Sequence, residues 1–382
     1  MKDCALNTMH YSKRVSYIIG CFVFGLVGLL KEVKGENALP KCSYSSIYNF
    51  GDSNSDTGTT SAAYTTINPP NGELIPGLIF PTRNCDGRLI IDFITENLKL
   101  PYVNAYLDSI GSTYKHGANF ATGGAPIVKG PSPFNFALQI SQFIQFKSRV
   151  LALYKATNSD PIIRARLPNV EFNKALYTID IGQLDLAYGL FTSNNDYQAI
   201  NASIPTILAN FSQGVQQLYN EEARFFWIHN TGSWGCVPRT NKMYKPTPKD
   251  TDSAGCRISE NQIAQEFNKQ LKDLIVHLRK KFPVARFTYV DIYSAKYELT
   301  KNAKNLGFGD PMEFCCGTIE SGIVDCGVNT KDKSRLCNDS SKYITWDGIH
   351  YSEAANKFVA NRILNGSLSD PPLSLDMACH SS

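Results

Sequence analysis

Short apolar runs of strand length alternate along this chain with longer stretches of helical periodicity. The predicted buried strands are 46–50, 175–181, 223–229 and 285–291. The predicted helices are 136–153, 207–219 and 259–281. A last helix is predicted from Ser352, a residue type that caps helix N-termini. Strands that alternate with helices predict βα units around a parallel sheet, which is an α/β fold.

The first 35 residues differ from the rest in their pattern. Lys13 and Arg14 precede an apolar run at 15–30, and a polar segment follows at 31–36. This order is typical of a secretory signal peptide, so we expect residues 1–35 to be removed. The alternative is a retained membrane anchor, although the run is shorter than the roughly 20 residues that span a bilayer.

Residues 36–382 contain no linker, charge block or repeat, which predicts one domain. No later stretch is apolar for long enough to cross a membrane. We therefore expect a soluble, secreted protein that is lumenal or extracellular, with no membrane contact after cleavage.

The net charge of +4 lies mostly in the leader. The leader has five basic and two acidic residues, which leaves the remaining chain near +1. A protein that binds nucleic acid usually carries a strongly basic surface, so no nucleic-acid partner is expected.

Nine cysteines follow the leader, and in an oxidising compartment they predict up to four disulfides and one free thiol. Their connectivity is left open by the sequence. The adjacent pair Cys315 and Cys316 lacks the two-residue gap that is common in zinc sites, so a disulfide staple is favoured over a metal. We expect neither a metal nor a cofactor.

Four sequons of the form N-x-S/T agree with secretion. Glycan acceptors of this kind occur on protein surfaces, so exposed loops are predicted around them. The predicted acceptors are Asn201, Asn210, Asn338 and Asn365.

The first predicted strand ends abruptly in Gly51-Asp52-Ser53, which indicates a tight turn. In open parallel sheets, active sites gather at the carboxyl ends of the strands, and Ser53 is predicted to lie there. A serine nucleophile needs a histidine base and a carboxylate that orients it. His350 lies three residues after Asp347, so one turn can hold both side chains together. His116, in a predicted loop, remains a second candidate base.

Three segments resemble conserved blocks of the GDSL esterase/lipases, also called SGNH hydrolases. The sequence GDSNSDTG at 51–58 resembles the first block, HGANFATGGA at 116–125 the second, and WDGIH at 346–350 the fifth. They follow the family order and cover nearly all of the chain after the leader. Within the family, the segments at 85–93, 225–232 and 346–355 are most similar to plant proteins of the early-nodulin-8-like group. This resemblance implies secretion to the apoplast or cell wall, with the vacuole as an alternative.

This resemblance implies a three-layer α/β/α sandwich with a flavodoxin-like parallel sheet. It also implies that Ser53 attacks an ester carbonyl, His350 acts as base and then acid, and Asp347 orients His350. The chain contains no G-x-S-x-G motif, which argues against the other large esterase fold.

In the family, the oxyanion hole uses the N–H of the nucleophile, a glycine of the second block and an asparagine of the third. The resemblance assigns these places to Ser53 and to Gly123, with Gly124 or Gly117 as alternatives. The third block departs from the pattern, because Leu184 occupies the position of the asparagine. Strand alternation would point the neighbouring Gln183 to the opposite face, which argues against Gln183 as a replacement donor. A loop at the end of the strand would break this rule and let Gln183 donate instead.

The expected function is hydrolysis of a carboxylic ester through an acyl-enzyme, at a rate weakened by Leu184. The expected substrate is a small molecule or saccharide that carries a small acyl group, such as a glycoside, cell-wall sugar, lipid or specialised metabolite. Two alternatives stay open: a binding or defence protein with little turnover on an esterase scaffold, and an acyltransferase.

Overall fold

The computed structural model describes residues 39–63, 65–128, 130, 132–156, 160–244, 246–320, 323–324, 326–327 and 336–380. Residues Cys42–Ser382 form one compact unit. The predicted signal peptide lies outside the described residues.

Eight strands occur in the described part of the chain, six of them in one central sheet. They are β1 (Ile47–Gly51), β2 (Gly117–Asn119), β3 (Leu176–Asp180), β4 (Phe225–His229), β5 (Arg286–Val290), β6 (Ile319–Glu320), β7 (Ile323–Val324) and β8 (Ser369–Asp370). The central sheet has the order β2-β1-β3-β4-β5-β8, and β6 pairs with β7 separately. Strands β1 to β5 run parallel, whereas β8 is antiparallel to β5 at the edge. The predicted parallel sheet is confirmed, apart from this antiparallel edge strand.

Ten α-helices are present among the described residues. They are α1 (Thr59–Ala63), α2 (Ile90–Asn97), α3 (Phe136–Ala156), α4 (Pro161–Arg166), α5 (Gln183–Thr192), α6 (Tyr197–Asn220), α7 (Pro238–Tyr244), α8 (Ile258–Lys281), α9 (Ile292–Lys301) and α10 (Glu353–Leu364). The predicted helices correspond to α3, α6, α8 and α10. Ser352 caps α10, because its side chain accepts a hydrogen bond from the N–H of Ala355.

The sheet lies between two apolar cores, because alternate residues of a strand face opposite sides. From β1, Tyr48 and Phe50 enter a core that also contains buried residues of α3, α6 and α8. Ile47 enters the other core, together with buried residues of α2, α9 and α10. Helices therefore cover both faces, and the expected α/β/α sandwich is confirmed.

Strand β2 lies in a segment predicted to be a loop. It has only three residues, and Gly117 has a φ of +107°. A Cβ atom at Gly117 would come within 1.8 Å of the carbonyl oxygen of Ile47. The strand thus depends on glycine and on pairing with β1, and three residues carry too little periodicity to reveal it.

Four disulfides join Cys42 to Cys379, Cys236 to Cys256, Cys315 to Cys337 and Cys316 to Cys326. Cys85 is the free cysteine of the described residues, and it is buried. The prediction of four disulfides with one free thiol is confirmed. The first pair connects residues 337 positions apart and so ties together the two ends of the compact unit.

Two of the four sequons lie where no loop exists. Asn201 and Asn210 belong to α6, so the prediction of loops around them was wrong, although Asn201 is exposed. Asn338 and Asn365 are exposed and lie outside the helices. Among the described residues, we find no helix with the length and apolar character needed to cross a membrane.

Candidate active site

Ser53 follows the carboxyl end of β1, in a turn that depends on Gly51. A Cβ atom at Gly51 would come within 2.6 Å of the Asp180 carbonyl oxygen on β3. The Gly51 N–H donates to the side chain of Gln139, whose amide donates back to the Gly51 carbonyl at 2.8 Å. These contacts fix the turn, so Ser53 leaves the sheet in one defined direction.

Ser53, His350 and Asp347 form a continuous hydrogen-bonded chain. Ser53 Oγ lies 2.8 Å from His350 Nε2, and His350 Nδ1 lies 2.6 Å from Asp347 Oδ2. The serine is 297 positions before the histidine, so only the fold brings these two together. This is the geometry by which a carboxylate orients an imidazole base toward a hydroxyl nucleophile.

The loop that carries His350 and Asp347 is closed by its own backbone. The other carboxylate oxygen, Asp347 Oδ1, accepts the N–H groups of Ile349 and His350, each at 2.8 Å. Trp346 donates its N–H to the His350 carbonyl at 2.7 Å. Gly348 has a φ of +91°, which favours glycine at this bend. Hydrogen bonds between residues close together in the chain therefore hold Asp347 and His350 side by side.

The electrostatics of the pair favour a charged Asp347 beside His350. Burial alone would raise the pKa of Asp347, but His350 and the two backbone N–H groups reverse this and hold that pKa below its usual value of 3.8. Burial opposes the imidazolium, but the Asp347 charge and hydrogen bond outweigh it, and the pKa of His350 is raised above 6.5. Proton uptake from Ser53 by His350 is thus stabilised.

The three candidate glycines for an oxyanion hole differ in what their N–H groups contact. The Gly123 N–H donates to Asp56 Oδ2 at 2.8 Å and approaches Thr60 Oγ1 at 2.9 Å. The Gly117 N–H donates to the Tyr114 carbonyl within the turn before β2. The Gly124 N–H has no hydrogen bond in the described part of the chain, and Gly124 lines the same cavity as Ser53.

Asp56 joins the first and second sequence blocks, a role that the sequence reasoning missed. This buried carboxylate accepts the N–H groups of Gly58, Thr59 and Thr60 in addition to that of Gly123. The sequence feature that could have identified Asp56 was its position inside the GDSNSDTG segment. Asp56 fixes the loop that presents Gly124 beside Ser53.

Leu184 lies in the first turn of α5, directly beside the site, and its side chain lines the cavity. Because α5 begins at Gln183, the argument from strand alternation does not apply: Gln183 and Leu184 both line the cavity. The next residue, Asp185, accepts the N–H groups of Ile127 and Val128 at 2.7 and 3.0 Å. The start of α5 is therefore anchored to the loop that follows Gly124.

His116 lies away from this arrangement. It precedes β2, and its carbonyl accepts the N–H of Ile47 at the amino end of β1. Ser53 lies beyond the carboxyl end of the same strand. The structure thus brings His350, and not His116, to Ser53.

A family model described as GDSL-like lipase/acylhydrolase matches residues 47–363. The match covers most of the chain and contains Ser53, Asp347 and His350.

The chain belongs to the GDSL lipase/acylhydrolase family. It is 48% identical over 375 residues to a GDSL esterase/lipase of Arabidopsis thaliana, covering 96% of this chain and 98% of the relative. An esterase of Hevea brasiliensis is 43% identical over 89% of this chain and 90% of its own length. The GDSL esterase/lipase ENOD8 of Medicago truncatula is 41% identical over 90% of this chain and 92% of its own length. The resemblance to plant GDSL enzymes of the early-nodulin-8 group is confirmed, and the chain is a carboxylic ester hydrolase.

In this GDSL hydrolase, a cavity of about 790 Å³ opens above Ser53 and His350. Its lining mixes apolar and polar side chains. The apolar ones are Leu184, Ala187, Tyr188 and Phe191 of α5, together with Ile67, Trp234, Val237, Met243 and Ile349. The polar ones include Thr65, Thr66, Asn68, Asn71, Asn84 and Arg239. A volume of this size accommodates a whole small organic ester rather than its acyl group alone.

A second group of titratable side chains is buried next to the nucleophile. Asp52, His229 and Lys296 are each no more than 5% exposed, and Asp180 lies beside them at the end of β3. Lys296 extends past Gly232, where a Cβ atom would come within 2.8 Å of its Cδ. Its ammonium group lies 4.6 Å from the centre of the Tyr351 ring.

The charges in this buried group influence one another. Burial lowers the pKa of Lys296, although Asp180 and Asp52 oppose the shift. Burial, together with the nearby Asp180, raises the pKa of Asp52 to about 6. His350 is affected by both Asp52 and Lys296, with opposite signs. The sequence contained no signal for Lys296, because it lies on a helix far from the recognised blocks.

Proposed function

We propose that this enzyme hydrolyses carboxylic esters through an acyl-enzyme formed on Ser53. The observation that carries the proposal is the hydrogen-bonded chain from Ser53 through His350 to Asp347 at the floor of the cavity. Ser53 Oγ attacks the carbonyl carbon while His350 Nε2 takes its proton. His350 then protonates the departing alcohol, and a water molecule releases the acid by the same steps in reverse order.

The tetrahedral oxyanion is stabilised by the backbone N–H groups of Ser53 and Gly124 in this proposal. Neither N–H has a hydrogen bond within the described residues, whereas the Gly123 N–H is engaged by Asp56. Gly124 therefore replaces Gly123 as the preferred donor. Leu184 offers no side-chain donor, so the enzyme is expected to be slower than one with three donors.

We further propose that residues 1–35 are a cleaved signal peptide, that residues 36–382 form a single secreted domain, and that its exposed sequons are glycosylated. Four disulfides support an oxidising compartment. The polar side chains that line the cavity support a hydroxylated or saccharide group on the substrate.

The direct test compares wild type with Ser53→Ala on p-nitrophenyl acetate. We expect the substitution to abolish measurable turnover. Ser148→Ala, an exposed serine on α3, serves as the matched control and should be as active as wild type. Equal rates for wild type and Ser53→Ala would exclude Ser53 as the nucleophile.

Leu184 also favours a second candidate, a secreted binding or defence protein with little turnover. A fluorophosphonate probe separates the two, because it labels an activated serine. Labelling that depends on both Ser53 and His350 supports the esterase. An unlabelled but folded protein supports the binding scaffold.

A further inference from the structure

One face of α5 forms a continuous apolar stripe inside the cavity. Leu184, Ala187, Tyr188 and Phe191 recur at intervals of three and four residues, so they lie on the same side of the helix. All four line the cavity above Ser53. The stripe spans about 10 Å at 1.5 Å of rise per residue. It begins beside the nucleophile and ends at Phe191, which is 61% exposed.

The stripe differs from the core-facing side of the same helix. Leu186 and Leu190 are fully buried and pack into the core between the sheet and α6. The stripe residues are less covered: Leu184, Ala187 and Tyr188 are half-buried, with Ala187 also packed against the core, and Phe191 is exposed. An apolar surface that leads from solvent to a nucleophile is suited to an apolar part of the substrate.

Two polar residues of the cavity contact the loop that carries His350. Trp346 Nε1 donates to Asn71 Oδ1 at 2.8 Å, and the Arg239 N–H donates to the Gly348 carbonyl at 2.9 Å. Asn71 and Arg239 both line the cavity. The departing alcohol must receive its proton from His350 Nε2, so the alcohol lies near the His350 loop and these polar residues. The acyl chain leaves the carbonyl carbon in another direction, and the apolar stripe of α5 offers it a surface in the same cavity.

We propose that the α5 stripe is the acyl-chain groove of this enzyme, and that its substrates join an apolar acyl chain of medium length to a polar, hydroxylated alcohol. This inference rests on the proposed function and replaces the small acyl group expected from the sequence. Leu184 is the innermost contact of the groove. An asparagine there would place an amide in the apolar stripe, so the residue that removes an oxyanion donor also extends the acyl groove to the nucleophile.

The test measures kcat/KM for p-nitrophenyl octanoate and p-nitrophenyl acetate, which share a leaving group. Each buried methylene is expected to contribute about fourfold. We expect wild type to prefer octanoate by at least about tenfold, which requires only two or three buried methylenes.

Two variants test the groove by opposite changes in side-chain volume. Ala187→Phe fills the middle of the stripe and should lower the octanoate-to-acetate ratio by about tenfold or more. Phe191→Ala removes an exposed contact at the outer end and should lower the ratio by a smaller factor. Thr192→Ala, an exposed residue on α5 outside the stripe, should leave the ratio unchanged. Fluorophosphonate labelling of each variant confirms that its site is folded.

The outcomes separate this inference from the proposed function. If activity depends on Ser53 but neither Ala187→Phe nor Phe191→Ala changes the acyl preference, the groove assignment is wrong and the esterase stands. If wild type and Ser53→Ala are equally active, the proposed function fails first. The last experiment measures kcat/KM for a series of acetate esters whose alcohols are either apolar or sugars. A change of alcohol preference in the α5 variants, without a change of acyl preference, would place the alcohol on α5 and overturn the inference.

Discussion

Two histidine–aspartate pairs lie near the carboxyl ends of the central strands, and they differ in geometry. In the first, His350 Nδ1 is 2.6 Å from Asp347 and Nε2 reaches Ser53. In the second, His229 Nδ1 is 3.3 Å from Asp180 Oδ2, and neither ring nitrogen of His229 has a hydrogen bond in the described part of the chain. The same residue types thus form an acid–base relay in one place and a buried charge cluster in the other.

Access and local backbone explain the difference. The first pair lines the cavity, and backbone N–H groups hold its carboxylate in one orientation. His229 is 4% exposed, and its aspartate lies near the buried Asp52 and Lys296. A histidine beside a carboxylate is therefore insufficient for chemistry. The imidazole must also be hydrogen-bonded on one nitrogen and open toward a nucleophile on the other.

The largest expected effect is on kcat, and it distinguishes the two histidine–aspartate pairs. Asp347→Asn should lower esterase kcat by about 10⁴, because a neutral amide stabilises the wrong imidazole tautomer, as in another triad enzyme. Asp180→Asn should cause a much smaller loss, because His229 contacts no nucleophile. Steady-state kinetics with p-nitrophenyl acetate, and circular dichroism as a folding control, provide the comparison. Equal losses in both variants would remove the distinction between the pairs.

A smaller effect is expected at Leu184, the position that the family resemblance assigns to an oxyanion donor. Leu184→Asn should raise kcat on p-nitrophenyl acetate at least about tenfold, because a single side-chain donor to an oxyanion contributes about 10² to 10³ in another serine hydrolase. Gln183→Ala is the adjacent control and should change little.

The Gln183→Ala control also shows which result would contradict the prediction for Leu184. If Leu184→Asn has no effect while Gln183→Ala abolishes turnover, Gln183 supplies the third donor. Both side chains line the cavity, so the experiment and not the geometry separates them.

The smallest effect concerns the influence of the buried cluster on the active pair. His350 accepts a proton only when neutral, so kcat/KM should rise with pH through a pKa above 6.5. Lys296 lowers the pKa of His350, whereas Asp52 and Asp347 raise it. Lys296→Met should therefore move the acid limb to higher pH and Asp52→Asn to lower pH, each by up to about one unit.

The control for this titration is Lys301→Met, which removes an exposed lysine from the same helix. Its pH profile should match that of wild type, because an exposed charge is screened by solvent. Shifts of the same sign in Lys296→Met and Asp52→Asn would contradict the electrostatic explanation, since the two charges are opposite.

Local features of the active site could be predicted well from the sequence. Asp347 and His350 are three residues apart in a glycine-containing loop, and Ser53 follows a strand that ends in glycine. The main strands and long helices were likewise predicted, because their periodicity extends over enough residues. Strand β2 and helix α5 were missed, because one is too short and the other begins directly after a strand.

The sequence by itself determined the α/β pattern and the contact between Asp347 and His350, since each depends on residues close together in the chain. That Leu184 removes an oxyanion donor stays a prediction from the sequence. Only the tertiary structure determined which glycine N–H is available to an oxyanion, because the Gly123 N–H donates a hydrogen bond to Asp56, 67 positions away in the chain. It also decided the disulfide partners and the second histidine–aspartate pair, which forms where β3 and β4 end side by side. These features depend on strand order and packing, and the local pattern of a sequence does not contain them.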